Sequence, residues 1–281
     1  MKKLIPGILC MVAALAVMVC LMHYARFYGP SYFFWIGIIL AVLGLVSLIK
    51  PLAFLFILNR TIALAVLGGG AFTVATALFW PVTLTRTQTD QVIDELVPEY
   101  AFNEYHERII NASPETIKEA FRTTGVGDIP VAHLLLQLWG IADEKGMNDE
   151  VSQTEAETGV GVLKTPDFDW IVVDSIECIT FMIMNVSVKT PPPVLTTIEQ
   201  FNAFNKPGYN KVAVNFRFVP LQNGQTLVST ETRNYAQTPS DNRRFARYWR
   251  VIYPGSALIR RVWLDTLAKK AEQREQQKGK K

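Results

Sequence analysis

Cysteine is scarce, with three residues in a chain of 281. Cys10 and Cys20 fall in the first apolar run and Cys178 stands alone, so there is neither a disulfide framework nor the paired spacing of a zinc or thioredoxin-type site. Charge is also thin, at 19% of residues, and with a positive mean hydropathy this excludes an average soluble enzyme. No Gly-x-Ser-x-Gly, Walker or dinucleotide motif occurs, and no internal repeat. What remains is a chain of segments that differ sharply in charge and hydrophobicity.

Three long uncharged runs fill the first 82 residues: Leu4 to Met22, Tyr32 to Ile49 and Thr61 to Val82. Each is near the roughly 20 residues that a helix needs to cross about 30 Å of hydrocarbon. Leu52 to Leu58 is apolar but too short to span, and it follows Lys50-Pro51, so it reads as an extension or an interfacial piece. The first run lacks a small-x-small cleavage site, which favours a retained anchor over a signal peptide. In a three-span arrangement Lys2, Lys3, Lys50 and Arg60 fall on one side and Arg26 and Arg86 on the other. That count places the N-terminus in the cytoplasm and the rest of the chain, after Val82, outside it.

The domain division expected is therefore a transmembrane region at 1–84, a linker at 85–96, a folded domain at 97–272 and a basic tail at 273–281. Residues 87–240 hold 10 basic and 21 acidic side chains, whereas 241–281 hold 12 basic and 4 acidic. The domain is an acidic body with a cationic C-terminal element. Anionic lipid head groups and a plain solvated helix face are both readings of that element; an acidic, anchored body argues against nucleic acid.

Within the domain, 100–111 reads as a strand, and Ser113-Pro114 opens a helix as N-cap and first helical residue. A second short helix is predicted at 131–139, followed by a polar loop over 141–158. Strands follow at 160–163, 170–173 and 176–188, with Asp174-Ser175 as a turn. Thr196 with Glu199 forms a capping-box pattern for a short helix.

Asn223-Gly224 is the favoured core of a two-residue hairpin turn. With that loop, paired residue numbers sum to 447. Phe216 and Phe218 then share a face with Glu231, Arg233 and Tyr235, and the other face meets solvent. Two readings of Glu231 and Arg233 stand: polar anchors for a ligand head group, or a structural ion pair.

After Pro239, the residues Phe245, Tyr248, Trp249 and Ile252 recur at helical spacing, and Ile259, Val262, Trp263 and Leu267 continue the stripe. Pro254-Gly255 is expected to kink the helix or divide it in two. Phe245, Tyr248 and Trp249 are candidates for lining a cavity, with core packing as the plain alternative. Cys178, without a basic partner in view, reads as inert.

The run from Glu199-Gln-Phe-Asn-Ala-Phe through Lys211-Val-Ala-Val-Asn-Phe, Thr230-Glu-Thr-Arg and Phe245-Ala-Arg-Tyr-Trp to Pro254-Gly-Ser-Ala-Leu-Ile-Arg-Arg261 resembles the SRPBCC superfamily of START and polyketide cyclase-like domains. The resemblance covers about 97–272 and leaves the membrane runs outside. It implies an α+β helix-grip fold, a curved antiparallel sheet around a long C-terminal helix, here preceded by an all-α membrane region of about three transmembrane helices. It also implies an apolar cavity for a lipid or other hydrophobic small molecule. It does not imply one reaction, because such folds serve carriers, cyclases and sensors alike.

No pair of histidines with an acidic third ligand can be carried over, since His106 and His133 are far apart, so neither metal nor cofactor is expected. The expected partners are the bilayer and a hydrophobic small molecule or lipid. The candidate ligand-binding residues are Phe216, Phe218, Glu231, Arg233, Tyr235, Phe245, Tyr248 and Trp249. Binding is favoured over catalysis, because no nucleophile or base has an activating neighbour in the sequence. A cyclase- or hydrolase-type enzyme with Glu231 as base is one alternative. A structural or regulatory membrane protein with a filled core and a protein partner is another.

Overall fold

The computed structural model of the protein describes residues 28–89, 91–129, 162–164 and 169–279. The first apolar run, the helix expected at 131–139 with His133, and the loop expected at 141–158 lie outside the described residues. The chain forms two compact units, one of residues 1–82 with 245–257 and one of residues 83–244 with 258–281.

The first unit is built on helices α1 (Gly29–Ile49) and α2 (Arg60–Leu78), both long and apolar enough to cross a membrane. α1 begins three residues before the expected 32 because Pro30 suits the first turn of a helix, where its missing N–H has no partner to lose. α2 stops at Leu78, short of the expected 82, and Asn59 caps its start by accepting from the Ile62 N–H. Between them, Leu52 to Leu58 forms only a single 3-10 turn at Ala53–Leu55, with Phe56 at φ 64°.

The packing of this hairpin is inside-out. Apart from Pro30 and Tyr32 in the first turn of α1, its buried positions are small, Ser31, Gly37, Gly44 and Ser47 on α1 and Ala63, Gly70 and Ala77 on α2. Ile39, Leu45, Leu64 and Phe72 point outward. A Cβ at Gly44 would lie 2.5 Å from the Leu67 nitrogen, and one at Gly70 would overlap the Ala41 backbone, so glycine permits this close approach. Of the Gly68-Gly69-Gly70 triplet, only Gly70 serves it; the other two face open space.

Residues 245–257 belong to a 40-residue helix, named α6 below (Pro239–Lys278), that Pro254 does not divide. A proline lacks the N–H that would bond the carbonyl four residues earlier, here Arg250. The Ser31 hydroxyl donates to that carbonyl at 2.5 Å, and the Trp35 indole donates to the next, Val251, at 3.1 Å. Arg250 donates in turn to the Leu78 and Trp80 carbonyls, each at 2.7 Å, where α2 ends with acceptors unused by its own helix. The helix stays whole, and Ser31 of α1 supplies a donor for the one carbonyl that Pro254 leaves without its N–H.

The second unit is α+β. In chain order it contains β1 (Thr85–Arg86), α3 (Val92–Leu96), β2 (Glu99–Tyr100), β3 (Phe102–Ile110), α4 (Pro114–Phe121), β4 (Val162–Lys164), β5 (Asp169–Val172), β6 (Glu177–Asn185), α5 (Ile198–Ala203), β7 (Tyr209–Pro220), β8 (Thr226–Ala236) and the later part of α6. β1 pairs with β2. The main sheet is antiparallel in the order β3-β8-β7-β6-β5-β4, a meander of the last five strands with the first added beside β8.

Local signals hold at several starts. Ser113 caps α4 with Pro114 at its first position, and Asp174 Oδ1 accepts from the Ile176 and Glu177 N–H groups at 2.7 Å to turn β5 into β6. The cap of α5 is Thr197, one residue later than expected, and accepts from the Gln200 N–H. The stretch 85–96, expected as a linker, carries β1 and α3, whose Ile93 and Leu96 are buried. The expected tail at 273–281 continues α6 as far as Lys278.

The hairpin register differs from the expected one. Pro220 pairs with Thr226, so five residues close the loop, with Asn223 and Gly224 both at positive φ. Paired numbers sum to 446, and the shift by one exchanges every side chain of β8 between the two faces. Phe216 now faces Thr230, and Asn215 faces Glu231.

Neither face is a solvent face. One packs Val212, Val214, Phe216, Phe218 and Val228 against Trp263, Leu264, Leu267, Ala268 and Ala271 of α6 and against α4. The other, with Ala213, Ile179 and Ile183, is covered by α3 and by Phe201 of α5.

Candidate functional site

β3 carries Phe102, Glu104, His106 and Ile110 at every second position or its multiple, so all four share one face. Its register sets Glu104 beside Thr232 and His106 beside Thr230 of β8. Because Thr230 and Thr232 in turn face Phe216 and Val214 of β7, this is the α6-facing side of the sheet. Five polar side chains therefore converge beside the apolar core, Glu104, His106, Thr230, Thr232 and, from α6, Arg260, on a face that also carries Arg108, Asn210 and Asn234.

Their geometry is closed on itself. His106 Nε2 lies 2.9 Å from Glu104 Oε1, and both side chains are almost fully buried. Arg260 donates to Thr230 Oγ1 at 2.9 Å and to Thr232 Oγ1 at 2.5 Å. Burial pulls the Arg260 guanidinium below its ordinary range, and the Glu104 charge partly restores it. Arg260 is half-buried and keeps its proton under such a shift, so a partly desolvated cation faces this surface, with two of its five donors given to threonines. One turn onward, the indole N–H of Trp263 is buried and has no hydrogen-bond partner among the described residues. An apolar wall with convergent polar groups is the usual form of a small-molecule site.

The eight residues expected to line one site fall in three places. Phe216 and Phe218 are on the α6-facing side, and Phe216 neighbours Thr230. They do not line an open wall: Phe216 is 4.7 Å from Phe121, 5.2 Å from Trp170 and 5.3 Å from Trp263 between ring centres, and Phe218 is 5.6 Å from Phe121. That end of the sheet is an interlocked aromatic core.

Glu231, Arg233 and Tyr235 are on the opposite face, by the register shift. Arg233 Nε donates to Glu231 Oε1 at 2.8 Å and its Nη1 to Asp94 Oδ1 at 2.5 Å, while its guanidinium lies 4.8 Å over the Tyr100 ring. Desolvation raises the Asp94 carboxyl, but hydrogen bonds from Thr89 and Arg233 outweigh it and hold it below the usual range. This is a three-member ion cluster that fastens the 87–100 segment to the sheet, the structural pairing foreseen as one of two readings. Tyr235 packs at the edge of the same core.

Phe245, Tyr248 and Trp249 belong to the other unit. Their rings stack among themselves, Phe245 at 5.6 Å from Tyr248 and 5.9 Å from Trp249. Cys178 is buried in the aromatic core, and desolvation pushes its thiol up to about 12, so it is no nucleophile.

Sequence reasoning set His106 aside as a metal ligand and did not single out Glu104, Thr230, Thr232 or Arg260 as site residues. A signal was present on β3, where Phe102 and Ile110 at even spacing mark the inward face and so mark Glu104 and His106 as inward too. Arg260 gave none, since it sits in a run of arginines that reads as a solvated face. Among the described residues no group of three His, Cys, Asp or Glu side chains is arranged to hold a metal ion. The chain matches no protein-family model, and no curated protein or solved structure is similar to it.

Proposed function

We propose that this is a multi-pass membrane protein whose sheet unit, a helix-grip domain of SRPBCC type, binds a small molecule with an apolar body and an anionic head. The observation that carries it is the Arg260 guanidinium held by Thr230 and Thr232 beside the apolar core. Its hydrogen-bond partners are two neutral threonines, and the carboxylate that offsets its charge, Glu104, also meets His106, so an anionic head would complete the pairing; carboxylates and phosphates are what a forked guanidinium recognises. The meander sheet with a long C-terminal helix supports the helix-grip reading, and the inside-out hairpin supports the membrane reading, because a large apolar face turned outward along two long helices is a surface that lipid would cover.

The test is mass spectrometry of small molecules that co-purify with the full chain in nanodiscs, for the natural protein and for Arg260→Met. Retention of an acidic hydrophobe by the natural protein, with loss in a still-folded Arg260→Met, supports the proposal. An empty natural protein, or equal retention in both, refutes it and favours a filled domain with a protein partner. An enzyme remains a second reading for one reason, the buried Glu104–His106 pair, in which a carboxylate orients an imidazole as in acid–base catalysis. On that reading His106 replaces Glu231 as the base, and His106→Gln abolishes conversion of the bound molecule without releasing it.

A further inference from the structure

The apolar hairpin has two chemically different ends. At the end where α1 begins and α2 finishes, aromatic rings crowd the surface. Phe33 and Trp80 stack at 5.7 Å, Tyr28 and Tyr253 lie 5.1 Å apart, and Trp35, Phe79 and Trp80 are all exposed. Exposed Trp and Tyr gather at the level of the lipid head groups, where one side of the ring is apolar and the other wet. The 245–257 segment of α6 is tied to this same end by Ser31, Trp35 and Arg250. It therefore lies where the hydrocarbon stops.

Its charge is one-sided. From Asn242 to Leu264 the sequence has six arginines and no acidic residue, and no Asp or Glu precedes Asp90 in the whole chain. Arg250 is buried and occupied with the α2 carbonyls. Arg247, one turn earlier, is exposed, and so are Arg243 and Arg244 on the preceding turn of the same unbroken helix. Spacings of three and four residues set them along one stripe.

We infer that this stripe is a binding face for the head groups of anionic phospholipids in the bilayer that holds the hairpin. Three properties select that occupant: three exposed arginines against a single nearby acid, Asp241, which Arg244 already attracts, donors suited to phosphate, and an aromatic belt at the matching depth. The inference rests on the membrane reading above and is independent of the ligand assigned to Arg260. Each well-placed arginine strengthens the association roughly fivefold, so removing three weakens it on the order of a hundredfold.

The full chain in nanodiscs of phosphatidylcholine with one-fifth phosphatidylglycerol is the material for the test. Lipids retained after mild detergent exchange are counted by native mass spectrometry. The natural protein should keep phosphatidylglycerol selectively, and R243Q/R244Q/R247Q should lose that selectivity. A control with the same charge change at exposed sites, K189Q/K206Q/K269Q, should keep it. Rising salt should release phosphatidylglycerol from the natural protein, a readout that needs no folded variant. Equal retention of the two lipids by the natural protein, or selectivity untouched by salt and by the arginine changes, overturns the inference. Extraction of the chain from membranes by alkaline carbonate without detergent would instead overturn the membrane reading.

Discussion

Replacing Phe216 by alanine separates a filled core from an open ligand wall. The Phe216 ring is fully buried and touches three other aromatic side chains at centre distances from 4.7 to 5.3 Å, contributed by α4, β5 and α6. Truncating a buried Phe to Ala costs about 3–5 kcal/mol, because the transfer free energy of the ring is lost and a cavity remains. Interlocked ring pairs add about 0.5–1.5 kcal/mol each beyond their area, which places this site in the upper half of that range. At about 2–4 °C per kcal/mol for a unit of this size, a loss of about 4 kcal/mol lowers the midpoint by roughly 8–16 °C.

Near-ultraviolet circular dichroism of the full chain in nanodiscs measures it, since Trp170 and Trp263 report the packing directly. Phe216→Leu keeps much of the volume and should lose less than half as much. A midpoint shift under about 3 °C for Phe216→Ala would refute the reasoning, because it would mean that the ring already borders a space that water or a ligand fills.

Three further outcomes are expected. Ser31→Ala should destabilise the hairpin unit by about 1–3 kcal/mol by leaving the Arg250 carbonyl without a donor, and by less in a Pro254→Ala background, where the restored N–H replaces the lost hydroxyl; a double-mutant cycle in thermal unfolding with no coupling would contradict the assignment. Asp241 is raised by desolvation, but the hydroxyls of Ser187 and Thr238 and the Gly208 N–H outweigh this and leave its carboxyl low. A depressed acid contributes stability above its unfolded pKa and loses it as pH falls, so unfolding should become easier below about pH 4, and less steeply so in Asp241→Asn. Cys178 should resist iodoacetamide in the native protein at pH 8 and react once the chain is unfolded, as read by peptide mapping; rapid native alkylation would disprove its burial.

How much of this was legible depends on the range of each interaction. The second and third apolar runs, the Ser113-Pro114 helix start, the Asp174 turn and most strand limits follow from neighbours within a few residues, and the structure departs from them by only a few positions. The register of β7 and β8 does not follow, although its turn sequence is favourable. Asn223-Gly224 fits a two-residue loop and a five-residue loop alike, and the choice falls to whichever face can be buried. Here both faces are covered, so alternation alone could not decide, and Glu231, Arg233 and Tyr235 were placed with the wrong neighbours.

The long helix makes the same point twice. Its sequence determined an amphipathic stripe from Phe245 to Leu267 and a weak point at Pro254. Only the tertiary structure decided that the stripe serves two units, aromatic residues 245–253 in one and Trp263 to Ala271 in the other. Only it decided that the helix survives its proline, where Ser31, over two hundred residues away in sequence, donates to the carbonyl that the proline leaves without an N–H. The polar cluster of Glu104, His106, Thr230, Thr232 and Arg260 has the same origin. Each member reads as ordinary in its own segment, and strand pairing and helix packing bring them together, since hydrogen bonds and charges act over ångströms of space and local sequence pattern cannot record that distance.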